Sequence, residues 1–160
     1  MILKSSEPLS LERAYQYALK LLAARDYTSA KLRDKLRARE YPETVAENVV
    51  ARLAMEGWVD DLRFAERFAE AALSTQRFFG PRLKLEMRRR GISADLTDDV
   101  LGRIRGEHDE VEGARSLLEK RFPSFSFSAA ADREKRRVIA FLQRRGFGYS
   151  SIMKALHELH

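Results

Sequence analysis

Asp60 and Asp61 are the residues whose type and spacing first suggest chemistry. Adjacent carboxylates can serve general acid–base catalysis or hold a cation, but either task needs a further group alongside them. No histidine, cysteine or hydroxyl nucleophile flanks the pair. The pair reads better as a helix start. Asp61 is expected to cap the fourth helix, where its charge also meets the positive end of the helix dipole. Asp60 is left to Arg63 or to a basic residue of a neighbouring segment. The three histidines, His108, His157 and His160, lack the spacing of a metal site. The chain has no cysteine, which excludes disulfides and thiol catalysis. No catalytic residue, metal or cofactor is expected, and the chain is not read as an enzyme.

The stronger chemical signal is positive charge. There are 30 Lys and Arg against 24 Asp and Glu, a net charge of +6 that favours a polyanion or an acidic protein face. The basic residues concentrate in three segments: Lys31, Arg33 and Lys35; Arg82, Lys84, Arg88 and Arg89; and Arg133, Lys135 and Arg136. Arg88 and Arg89 fall in the last turn of a helix, where a cation gains ~0.3–1 kcal/mol from the macrodipole. Lys31, Arg82, Lys84, Arg133 and Lys135 fall near helix N-termini, where a cation is mildly unfavourable. That placement in three separate segments points to partner contact.

The elements that carry these residues are helical. Leu, Ala, Arg and Glu dominate, and only four Pro and eight Gly interrupt them. Residues 1–9 read as a flexible tail and Ser10 as an N-cap for the first helix. Ala14, Ala18, Leu21 and Leu22 form one apolar stripe. Thr28 or Ser29 opens a second helix. Lys31 replaces the acidic residue that would complete a capping box with Thr28. A third helix ends at Gly57. Trp58 is expected to pack the first repeat on the second.

A shift of 51 residues then carries Ala14, Ala18, Leu22, Leu32, Leu36, Val49 and Leu53 onto Ala65, Ala69, Leu73, Leu83, Met87, Val100 and Ile104. Core positions match core positions, so the chain repeats itself. A third copy follows at shifts of 44 and then 55, in which Arg121-Phe122 parallels Arg77-Phe78 and Arg145-Gly146-Phe147 parallels Arg90-Gly91-Ile92. Between the two shifts lies a Phe/Ser segment, 122–128, read as a loop whose phenylalanines pack down, since no partner strand is visible. The expected fold is all-α. Three tandem three-helix repeats, 10–57, 58–106 and 107–160, form an elongated array that can curve, in which stacking completes each small core. No apolar run approaches the ~20 residues that span a bilayer, so a cytoplasmic monomer without membrane contact is expected.

Gly57-Trp58-Val59-Asp60-Asp61-x-Arg63-Phe64-Ala65, then Gly80-Pro81, then Glu86-Met87-x-x-x-Gly91-Ile92-Ser93, resembles the RecX family of bacterial regulators of the RecA recombinase. The resemblance runs from about Ala14 to Leu159. It departs at Phe79, where a glycine is often found, and in a step from Gly80-Pro81 to Glu86-Met87 about one residue shorter than usual. It implies binding along the RecA filament on DNA and lowering of its ATPase, strand-exchange and co-protease activities. The partners implied are that filament and single- or double-stranded DNA. Gly57, Asp61, Phe64, Ala65 and Gly91 carry the structural signature. Direct, non-specific nucleic-acid binding is the alternative.

Overall fold

The computed structural model describes residues 3–104 and 109–158. Among them are nine helices and no strand: α1 (Leu3–Ala24), α2 (Ser29–Ala38), α3 (Glu43–Met55), α4 (Asp61–Ser74), α5 (Gly80–Arg89), α6 (Ala94–Ile104), α7 (Glu110–Arg121), α8 (Asp132–Arg144) and α9 (Tyr149–Glu158). The all-α, three-by-three organisation read from the repeats is present. One boundary differs. The helical backbone of α1 begins at Leu3, so Ser10 lies inside the helix and caps nothing. The apolar stripe registers where packing begins, and the helix continues upstream of it. The expected hinge at Arg105-Gly106 lies outside the described residues.

The chain divides into two compact units. One takes the chain up to Glu66 together with Arg89–Ser93, and the other takes Arg67–Arg88 and the chain from Ala94 onward. In the first unit Ala14 and Ala18 of α1, Leu32 and Leu36 of α2, and Val49 and Leu53 of α3 form the core. Thr28 caps α2, its hydroxyl oxygen accepting from Lys31 N at 3.2 Å, so half of the capping box survives without an acidic partner. Helix α3 stops in a Schellman turn: Gly57 N donates to Ala54 O, Trp58 N to Leu53 O, and Gly57 takes φ +83. Val59 is then buried, while Trp58 is 56% exposed, which corrects the expectation of a packing wedge. The Schellman turn aims one apolar side chain inward, and the smaller valine fills that place.

In the second unit, Leu117 and Leu118 of α7, Val138 and Leu142 of α8, and Ile152 and Leu156 of α9 are buried together. The segment between α7 and α8 contains no strand, and Phe122, Phe125 and Phe127 pack against this core as read from sequence.

The second helix of every repeat ends in a left-handed residue at the same position. Glu40 has φ 65, Gly91 φ 87 and Gly146 φ 101. In the second and third repeats that turn docks on the start of the preceding repeat's second helix. Within the first unit Thr28 donates its hydroxyl proton to Arg90 O at 2.6 Å, and a Cβ on Gly91 would meet Thr28 Oγ1 at 2.8 Å and Ala30 Cβ at 2.9 Å. Within the second unit Phe79 N donates to Arg145 O at 2.7 Å. The Phe79 and Phe147 rings stack at 4.0 Å, and a Cβ on Gly146 would lie 1.8 Å from Phe79 O. Phe79 occupies the position of Thr28 under the 51-residue shift, so the two joints are the same device made with different chemistry. The ring stack explains why a phenylalanine stands at 79.

Candidate functional site

The carboxylate pair resolves into two structural roles, reversed from expectation. Asp60 is the cap of α4, its Oδ1 accepting from Arg63 N at 3.0 Å. Asp61 is the first residue of the helix, and its Oδ1 accepts from Ser29 N at 2.8 Å, one of the open amides at the start of α2. Both carboxylates thus satisfy helix amides. The chemistry of the pair is positional: it fixes the start of the second repeat against the first. Ala65 is fully buried beside it, while Phe64 is only half-buried and not a full core residue. Among the described residues no group of three or more His, Cys, Asp or Glu is placed to hold a metal ion. His157 is exposed and meets the edge of Phe127, with ring centres 4.9 Å apart. His108 and His160 lie outside the described residues.

The basic candidates divide into those held inside the fold and those left to solvent. Arg82 pairs with Glu86 at 2.9 Å, four residues on along α5, and its guanidinium lies 5.6 Å from the Phe78 ring centre. Glu86 is a nearly buried carboxylate, so Arg82 neutralises a charge that the core could not otherwise hold. Lys84 reaches Asp98 of α6 at 2.8 Å. These two cations therefore have internal partners, and their position near a helix N-terminus follows from the acids they meet. Lys135 is half-buried with Nζ 4.6 Å from the Phe127 ring centre, a cation–π contact. Arg33 is half-buried on α2 and lowers the pKa of Glu43, a smaller effect than that of Arg37.

Lys31 and Lys35 on α2, Arg88 on α5, and Arg133 and Arg136 on α8 are exposed, and no carboxylate pairs with them among the described residues. Arg89 is exposed beside Arg88 in the last turn of α5. The two units are thus each left with cations that the fold does not use.

A further group escaped the sequence reading. Arg77, Lys120, Arg121 and Arg145 gather around Gln76 and Phe141 in the second unit. The recurrence of Arg-Phe at 77–78 and 121–122 was a signal for two of them. Arg145 reaches the group only through the tertiary fold.

Three segments match the RecX descriptions in order: residues 14–53 the first three-helix domain, 60–101 the second and 108–156 the third. The chain is 44% identical to Regulatory protein RecX of Trichlorobacter lovleyi over 144 residues, 90% of this chain and 93% of that one. It is 32% identical to Regulatory protein RecX of Syntrophotalea carbinolica, over 91% of this chain and 95% of the other. It is 34% identical to the Mycobacterium tuberculosis protein of the same name, over 86% and 80%. Its fold superposes on the crystal structure of RecX from Lactobacillus salivarius with a TM-score of 0.77 at 24% identity, covering 94% of this chain and 96% of that one. Three tandem three-helix domains in the family's order, spanned end to end by these relatives, place the chain in the RecX family of regulatory proteins, which is non-enzymatic.

Proposed function

We propose that this protein restrains a RecA recombinase by binding the RecA filament on DNA, lowering its ATPase, strand-exchange and co-protease activities. The observation that carries this reading is the match over 90% of the chain to a regulatory protein whose name marks it as acting on RecA. The exposed cations support it locally. Lys31, Lys35, Arg88, Arg133 and Arg136 lack carboxylate partners among the described residues, and a nucleoprotein filament offers phosphates and acidic protein surface to meet them. The protein acts as a monomer in the cytoplasm, and among the described residues no helix is long and apolar enough to cross a membrane. The inhibition is geometric: a tandem array contacting more than one protomer hinders nucleotide turnover or the approach of a second DNA.

The test is the single-strand-dependent ATPase of RecA with and without this protein. The rate should fall at amounts of protein well below those that coat the DNA. An unchanged rate at equimolar protein refutes the reading. The exposed cations also favour a second reading, direct and non-specific nucleic-acid binding. It requires that DNA affinity, falling steeply with salt, account for every effect on RecA. Charge reversal belongs at Arg133 and Arg136. At Arg82 and Lys84 it would also break the contacts with Glu86 and Asp98.

A further inference from the structure

Four cations in the second unit meet where three helices end. Arg77 follows α4, Lys120 and Arg121 close α7, and Arg145 caps α8. Gln76 ties two of them together: its carbonyl accepts from Arg145 Nη1 at 2.8 Å and its side-chain Oε1 from Lys120 Nζ at 3.3 Å. The guanidiniums of Arg121 and Arg145 lie 6.0 and 5.1 Å from the centre of one ring, Phe141. The guanidinium of Arg77 lies 5.1 Å from Phe78. No carboxylate pairs with any of the four among the described residues.

Helix ends attract cations, and that accounts for part of the group. Each helix C-terminus carries roughly half a negative charge, so three of them offset well under half of four positive charges. The excess is felt at Arg145, whose proton affinity is lowered first by burial and then by Arg121 and Arg77. The anchor is strained as well. Gln76 sits at φ 57 just past α4, a position where glycine is the usual residue. Glycine there would relieve the backbone and remove the amide that holds Lys120. Strained positions that persist cluster where a ligand is held.

We propose that Arg77, Lys120, Arg121 and Arg145 form an oxyanion site that takes a phosphate group. A carboxylate offers two coplanar oxygens, which one guanidinium fork satisfies. Three guanidiniums and an ammonium, carried on the ends of three helices, suit a tetrahedral group with acceptors in several directions. A phosphodiester strand and a free phosphate share that chemistry.

The test uses the intact protein without RecA, so its outcome is independent of the regulatory reading. Inorganic phosphate, pyrophosphate and a labelled single-stranded oligonucleotide are titrated against the unaltered protein and the Arg77→Gln/Arg121→Gln double variant. Arginine Nε–Hε resonances report the two small ions, and anisotropy reports the oligonucleotide. Both substituted residues are exposed, so far-UV circular dichroism should be unchanged, and Lys120→Gln provides a second variant. The double variant should bind at least tenfold more weakly. For a strand, the slope of log affinity against log salt should shrink by about 1.4, since each lost phosphate contact contributes ~0.7. Arg13→Gln, at an exposed arginine outside the group, should bind as the unaltered protein does. Tenfold loss for the small ions as well as the oligonucleotide identifies a free phosphate as sufficient, and loss for the oligonucleotide alone identifies a strand. Unchanged affinity for all three probes overturns the proposal. So does a loss of binding confined to an acidic polyglutamate peptide.

Discussion

Gly146→Ala should be among the most damaging single substitutions in this protein, and Gly57→Ala supplies the control. Both glycines have positive φ, +101 and +83. An L-residue in the left-handed region costs roughly 1–2 kcal/mol, and alanine restricts the unfolded chain enough to return about 0.4–1 kcal/mol. Nothing lies within 4 Å of a Cβ at position 57, so Gly57→Ala should cost only the difference, about 1 kcal/mol. A Cβ at 146 would stand 1.8 Å from Phe79 O and 2.7 Å from Arg82 Cβ. The first of these is backbone held at a helix start and cannot swing away, so the joint must open. Opening it forfeits the Phe79–Arg145 backbone hydrogen bond, about 1 kcal/mol. It also loses the stack of Phe79 on Phe147, about 0.5–1.5 kcal/mol. Partial exposure of two buried phenylalanines adds about 1–3 kcal/mol. The total is about 4 kcal/mol or more, in the range reserved for a few mechanisms. Urea denaturation followed by helical circular dichroism measures both variants. Equal destabilisation to within about 0.5 kcal/mol, the usual noise between independent sites, would refute the close-contact argument.

Three further outcomes follow from named contacts. Glu40→Gly removes the left-handed strain where no docking partner exists, and should stabilise the protein by about 0.5–1 kcal/mol once glycine's own entropy is subtracted, read from the urea midpoint. Asp60→Ala should cost about 1 kcal/mol as a lost cap, and Asp61→Ala about 1.5–3 kcal/mol as a lost charge-assisted bond to Ser29 N. Asp61→Asn should restore most of the latter, and equal effects of the two alanine variants would refute the separate roles. The Glu43 carboxyl is held below its ordinary range, chiefly by its hydrogen bond from Arg37, whose Nε lies 2.7 Å from Oε2. A depressed carboxylate contributes stability above its unfolded pKa and loses it as pH falls through its folded value. Glu43→Gln should therefore lower Tm at pH 7 and leave it unchanged near pH 2. An equal loss at both pH values would count against the ion pair.

Much of this architecture was legible because the repeat is gapless. Leu32, Leu36, Val49 and Leu53 recur as Leu83, Met87, Val100 and Ile104, and every one of them is buried. The cap at Asp60 was read one residue late. Two aspartates in a row are equally good caps, and only the tertiary partner of the second, Ser29 N, separates them. Trp58 was read as core because its type is apolar, whereas the Schellman turn spends its inward position on Val59. The basic surface was the least legible part. Arg82–Glu86 is a four-residue helical spacing that a sequence can show, but Lys84 meets Asp98 only after α6 packs in place. The group around Gln76 depends on the ends of three helices converging, which no spacing encodes.

The left-handed turn after each second helix also fixes how many repeats the chain can hold. At Gly91 and Gly146 a side chain would strike the preceding repeat, and glycine is obligatory. Glu40 adopts the same backbone in the first repeat, but nothing precedes it and a side chain is tolerated. At the other end, the position equivalent to Thr28 and Phe79 is Glu134, which lies inside α8 and not at its start. Each terminal repeat has therefore lost one half of the coupling. A fourth module could not be added by duplication alone, because upstream it would meet the Glu40 side chain and downstream a helix that begins too early. Length in this lineage is set by two local departures from the repeat, so natural variation in repeat number should be accompanied by glycine at position 40 or by a shorter eighth helix.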